Sequence, residues 1–225
     1  MKKKSLLTMV VALSLVSVIG IGATFAYLTS GPQTVTNTFT VGKGYVNQAL
    51  TLNEAEVTHQ EDGTFVADEA KRVQENTYDN LQPGNYLPKD PTVTLVAGST
   101  KSYVFVSFEN IDELVKKLGV GTTVDGWSTT GWQKLPVTDS TVNENSMDGV
   151  YYQIVDVSSE ESQDFVHEFF TGIQIDGNNN DVVKATDIPQ IIGKAAAVQF
   201  STLTVEQAYA QVATDLGYEL VKATE

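Results

Sequence analysis

The seven residues Ser102-Tyr103-Val104-Phe105-Val106-Ser107-Phe108 carry large apolar side chains on both alternations of an extended chain. Successive side chains of a strand point to opposite faces, so both faces of this run must be buried. It therefore reads as a central strand of a sheet covered on each side, as in a sandwich. The rest of the chain has to supply the layers above and below it.

Strand signals do dominate the remainder. Thr34 to Val41 alternates β-branched and polar residues, and Tyr45 to Leu52 continues after the break at Gly42-Lys43-Gly44. Thr92 to Val96 and Lys101 to Phe108 flank the turn Ala97-Gly98-Ser99-Thr100. Further strands are expected at residues 131–135, 150–157, 165–175, 182–184 and 195–200. The acidic, polar stretch from Asn53 to Asp79 reads as a decorated loop, with Gly63 to Val66 as a short edge strand. Two helices interrupt the pattern. Ile111, Leu114, Val115 and Leu118 recur at helical spacing and Gly119 stops them. Near the end, Thr204 and Gln207 form a capping box, Val205, Ala208, Tyr209, Val212 and Leu216 make one apolar face, and Gly217 stands at the C-terminal cap. This second helix is expected to lie on the sandwich as a lid. The fold class expected is mainly β: a jelly-roll-like β-sandwich with two short helices, forming one domain over residues 27–225.

The first 26 residues are of a different kind. Lys2, Lys3 and Lys4 form a positive n-region, Leu6 to about Ile21 an uncharged apolar h-region, and Thr24-Phe25-Ala26 a small-x-small site, together the pattern of a cleavable export signal. A retained anchor would want about 20 apolar residues, whereas Ser14, Ser17, Gly20 and Gly22 interrupt this run. Cleavage is expected between Ala26 and Tyr27. A threonine-rich β-forming segment follows at once, from Tyr27 to Val41.

Four stretches stand out: Gly22-Ala23-Thr24-Phe25-Ala26, Asn37-Thr38-Phe39-Thr40-Val41-Gly42, Asn80-Leu81-Gln82-Pro83-Gly84 leading into a core hairpin, and Ala197-Val198-Gln199 before the last helix. In these the chain resembles the TasA/camelysin family of exported bacterial surface proteins. The resemblance implies the jelly-roll fold, processing by a SipW-type signal peptidase, and self-association into fibres by donor-strand exchange. The donor would be Thr34, Val35, Thr36, Asn37, Thr38, Phe39, Thr40 and Val41. The alternative is that this run pairs within its own domain as an ordinary first strand.

Composition narrows the partners. With 28 acidic against 14 basic residues and a formal net charge of −14, the surface repels phosphate backbones, so no nucleic acid is expected. Cysteine is absent, which in an exported chain leaves stability to the core, to bound ions or to assembly. A zincin needs two histidines one helical turn apart with a glutamate between them. His167-Glu168 has no histidine at the required spacing, and His167 is expected to face solvent; His59 lies in the acidic stretch. The carboxylate pairs Asp68-Glu69 and Glu160-Glu161 read as solvated loop charges. Trp127 and Trp132 could stack on a sugar but read more simply as half-buried hairpin residues. Asp176, Asn178, Asn180 and Asp187 stand at positions 1, 3, 5 and 12 of a loop that echoes a calcium site. Lys184 and the missing glycine at position six favour a β-turn instead.

These readings lead to an exported, non-enzymatic structural subunit of a surface or biofilm-matrix fibre, without a cofactor unless calcium binds at residues 176–187. A secreted module binding carbohydrate or host protein is the alternative, with a camelysin-type metalloprotease behind it.

Overall fold

The computed structural model describes residues 49–139, 142–159, 161–178 and 188–221, and the backbone of residues 29–34. The expected signal at 1–26, donor residues Val35 to Val41, the strand at 182–184 and loop residues Asn180 and Asp187 lie outside these. The described part is mainly β, with three antiparallel sheets. A five-stranded sheet runs in the order β1 (Thr29–Thr34), β12 (Ile192–Gln199), β6 (Ser102–Glu109), β9 (Gly149–Val155), β8 (Gln133–Leu135). A four-stranded sheet contains β10 (Phe165–Glu168), β5 (Thr92–Leu95), β2 (Leu50–His59) and β3 (Phe65–Val73). The third has β4 (Tyr86–Pro88), β11 (Gly172–Gln174) and β7 (Thr123–Asp125).

Strand β6 is the centre of the molecule. Every residue from Ser102 to Phe108 is buried, as its double apolar alternation requires. Val104, Val106 and Phe108 face one hydrophobic cluster with Leu50, Leu52, Val93 and Leu95 of the second sheet. Tyr103 and Phe105 face another, made with Ala208, Tyr209, Val212 and Leu216. The neighbouring β12 does the same with small side chains. Ala195 and Ala197 belong to the first cluster, Ala196 and Val198 to the second.

Helix α1 (Ile111–Leu118) forms where its spacing predicts, and it buries Ile111, Leu114 and Leu118. The C-terminal lid is also present, but as two helices, α2 (Val205–Tyr209) and α3 (Ala213–Leu216), giving three short helices among the described residues in place of two. The Thr204–Gln207 capping box forms in full, and Gly217 takes the left-handed conformation at φ 89°. Between them the chain tightens to i→i+3 bonds, Gln211 N to Ala208 O and Val212 N to Tyr209 O. This break lets Tyr209, Val212 and Leu216 all reach the sheet, each at most 1 % exposed. Three hydroxyls pin the lid. Ser107 Oγ donates to Leu216 O at 2.9 Å, Tyr209 Oη to Tyr218 O at 2.8 Å and Tyr218 Oη to Phe108 O at 2.8 Å.

Two expectations about strands need correction. Asn53 to Val73 is no loop, though residues 74–79 are: β2 and β3 form a long antiparallel hairpin closed by the turn at Gln60–Thr64, with the expected edge residues Phe65 and Val66 opening β3. Its acidic composition belongs to an edge, where Lys71 meets Glu56 at 3.0 Å and charged side chains on β3 discourage further pairing. The Ala97–Thr100 turn joins no hairpin either. It carries the chain from β5 in one sheet to β6 in the other. Likewise β9 and β10 lie in different sheets, so the pair β5·β10 is continued across the sandwich by β6·β9.

Candidate functional site: a sheet edge and a groove between the sheets

Of the expected donor residues, Thr34 alone is described, opposite Lys194 at the end of β1. Strand β1 pairs antiparallel with β12 through Thr29↔Val198 and Ser30↔Ala197, then through Gln33↔Ala195 and Thr34↔Lys194. The register shifts between Ser30 and Gln33. Gly31-Pro32 occupies that irregularity, and proline, lacking an N–H, is tolerated only at an edge or bulge. On its other side β12 is paired with β6 along all eight residues. The strand thus has one committed side and one held by a short, interrupted neighbour.

Asp176 ends the segment after β11, and its carboxylate is engaged by main-chain donors. Asn178 N donates to Oδ1 at 2.8 Å and Gly121 N to Oδ2 at 3.1 Å. The first bond closes a tight turn at Gly177-Asn178, and the second ties Asp176 to the chain before β7. Among the described residues no group of three or more His, Asp or Glu is placed to hold a metal ion. Asp68 and Glu69 lie on β3, in the hairpin rather than a loop.

His167 does not face solvent. It shares the inner face of β10 with Phe165, and its ring meets Phe169 edge-on at 4.7 Å and Trp132 at 5.4 Å. Its Nε2 is 2.9 Å from Ser128 O. Burial pushes its pKa down, against the opposing effect of that hydrogen bond. Both tryptophans lie in the loop between β7 and β8 and are turned inward. Trp127 packs on Phe108, Phe170 and Tyr151, and Trp132 is 7 % exposed. Trp132 is thus buried in the core, and Trp127 is partly buried against it. His59 sits at the tip of β2, stacked on Phe65 at 4.6 Å and paired with Asp79 at 2.8 Å.

Sequence reasoning missed a groove of about 860 Å³ between β2, β4, α1 and β11. Its floor includes Leu52, Leu87, Phe108, Leu114 and Ile173. One wall is residues 74–83, the other residues 188–193 leading into β12. The first wall is fastened where β2 bulges between Ala55 and Glu56. Asn76 Nδ2 donates to Ala55 O and its Oδ1 accepts from Val57 N, both at 2.7 Å, so one side chain stands in for a missing strand partner. Tyr78 Oη donates to Pro88 O, and its ring leans on Phe65. Burial, with Glu54 and Asp90 nearby, raises the Tyr78 pKa and keeps the hydroxyl a donor.

Glu54 lines this groove with a side chain only 3 % exposed. Its Oε2 accepts from Lys89 Nζ at 2.5 Å, whereas Oε1 has no hydrogen-bond partner among the described residues. The signal was in the sequence. Leu50-Thr51-Leu52-Asn53-Glu54 alternates, and the burial of Leu50, Leu52 and Glu54 follows it; reading Asn53 onward as loop hid the acid's inward position. Alongside, Arg72 bonds to Asp90 and reaches Asn53 O at 3.1 Å, tying β3 to the β4–β5 connection.

Searches against protein-family models, curated proteins and solved structures found no match to this chain.

Proposed function

We propose that the chain is an exported structural subunit of a bacterial surface or biofilm-matrix fibre, as its resemblance to the TasA/camelysin family implies. The observation that carries this reading is the place of β1. Residues 29–34, close after the expected Ala26–Tyr27 cleavage site, lie at the open side of β12 as an added strand held by main-chain pairing and interrupted at Gly31-Pro32. A strand so held can be exchanged for the same segment of a neighbouring copy, whose continuation through Val35, Phe39 and Val41 would supply apolar anchors. Before cleavage by a SipW-type peptidase the segment is tethered, so processing would set when assembly begins. The sandwich is of jelly-roll type on this reading, since the arm β5·β10 folds over into β6·β9. No catalytic role is assigned to any residue.

The test is electron microscopy of purified residues 27–225 beside a variant lacking residues 27–40. Regular filaments are expected from the first and soluble monomers from the second. Filaments formed equally well by both would refute strand exchange through this segment, and a native N-terminus at Met1 on surface-extracted protein would refute processing.

A further inference from the structure

The end of β1 lies on the same row of the five-stranded sheet as the foot of the lid. Thr34 of β1 stands opposite Lys194 of β12, Lys194 opposite Ser107 of β6, and Ser107 opposite Val150 of β9. Ser107 Oγ donates to Leu216 O at 2.9 Å, which fixes the last residue of α3 over the middle of this row. Gly217 then passes over an ion pair. Lys194 Nζ is 2.8 Å from Glu109 Oε1, and a Cβ on Gly217 would stand 2.6 Å from that oxygen and 3.0 Å from the ammonium nitrogen. Tyr218 Oη follows, donating to Phe108 O at 2.8 Å. From this anchorage α3 lies against both β12 and β1, across the seam between them.

Strand β1 needs such a support. It stands at the end of its sheet and pairs only through Thr29 and Ser30 on one side of Gly31-Pro32 and through Gln33 and Thr34 on the other. A short, interrupted edge strand is the kind of element that opens locally without the rest of a fold. We infer that the C-terminal lid is a clasp on β1: the strand stays on β12 while α3 is docked, and it leaves, making room for the same segment of a neighbouring copy, when α3 and Gly217 lift from the Lys194–Ser107 row. The opening is local. Helix α2 remains in place through Tyr209, whose ring packs 5.5 Å from that of Phe105. As a control on assembly the clasp rests on the strand-exchange reading, whereas the coupling of α3 to β1 is a property of the single molecule.

Backbone hydrogen exchange, read by mass spectrometry on monomeric residues 27–225, tests the coupling. Ser107→Ala removes one bond holding Leu216 O, and it should speed exchange at residues 29–34 and 213–218 together by roughly threefold to tenfold. Gly217→Ala sets a methyl group against Glu109 at a φ of 89°, and should speed both segments by about tenfold or more. Residues of β2 and β5 should keep the parental rate in each variant. Val93→Ala, which weakens the first cluster away from the lid, should not single out residues 29–34. Faster exchange at 213–218 with 29–34 unchanged would overturn the inference, since the lid would then merely lie beside the strand. Exchange at 29–34 in the parent as fast as in an unstructured peptide, or a rise shared equally by β2 and β5, would overturn it too. If Gly217→Ala does not fold, Ser107→Ala decides alone. Since the measurement is made on monomer, absence of filaments in the microscopy would refute the fibre reading and leave this result standing.

Discussion

His167 and Asp148 are half-buried groups with opposite effects on acid stability. His167 is held neutral by burial among Trp132 and Phe169, so its pKa falls below the ordinary 6.5. The unfolded chain then binds the proton more readily, and stability is lost as pH drops below 6.5. Asp148 accepts from Ile111 N at 2.7 Å at the start of α1, yet burial and the neighbouring Asp112 raise its pKa above the ordinary 3.8. Its protonated form is the one the fold prefers, so its contribution is lost as pH rises from 3.8 through the raised value. Melting temperature measured against pH should therefore show less acid loss below 6.5 in His167→Gln than in the parent. In Asp148→Asn, which keeps the acceptor oxygen, the decline above 3.8 should disappear. Profiles parallel to the parent would show that these groups do not carry the effect.

At the scale of elements, what could be read from the sequence was whatever a local pattern specifies by itself. The double alternation of β6, the i, i+3, i+4 spacing of α1 and the Thr204–Gln207 box with Gly217 all stand where expected. Thr204→Ala removes a side chain that accepts from Gln207 N at 3.3 Å, and it should cost about 1 kcal/mol in urea unfolding. A change under a few tenths would mean that the lid is held by Tyr209 and Tyr218 rather than by its cap. What could not be read was set by tertiary contacts. The β2–β3 hairpin hid because edge strands tolerate the charges that loops also carry. The break at Ala210–Val212 exists because Tyr209 and Leu216 must both meet the sheet, a demand no helical period expresses. The turn at Ala97–Thr100 has the residues of a hairpin turn, and only the sheets on either side decide that it is a crossover. Glu54 illustrates the same limit within the groove: its strand alternation was visible, but its ion pair depends on Lys89, 35 positions away.

The whole molecule turns on one sheet covered twice. Strands β6 and β12 contribute alternate residues to both hydrophobic clusters, so neither layer has a floor without the other. Without a disulfide to hold the layers together, this shared sheet is the connection between them, and the layers should unfold in one transition. The chain carries its own reporter, since both tryptophans, Trp127 and Trp132, pack in the first cluster, on the side away from the lid. Phe105 belongs to the second cluster, 0 % exposed and 5.5 Å from the Tyr209 ring. Replacing it with alanine should cost about 3–5 kcal/mol through lost burial and the cavity left behind. If the two layers form one cooperative unit, tryptophan fluorescence in Phe105→Ala will report that loss in full, with its urea midpoint lowered together with that of the far-ultraviolet circular dichroism. If the fluorescence midpoint stays at the parental value while the dichroism shifts, the lid layer melts alone and the molecule is two units sharing a sheet.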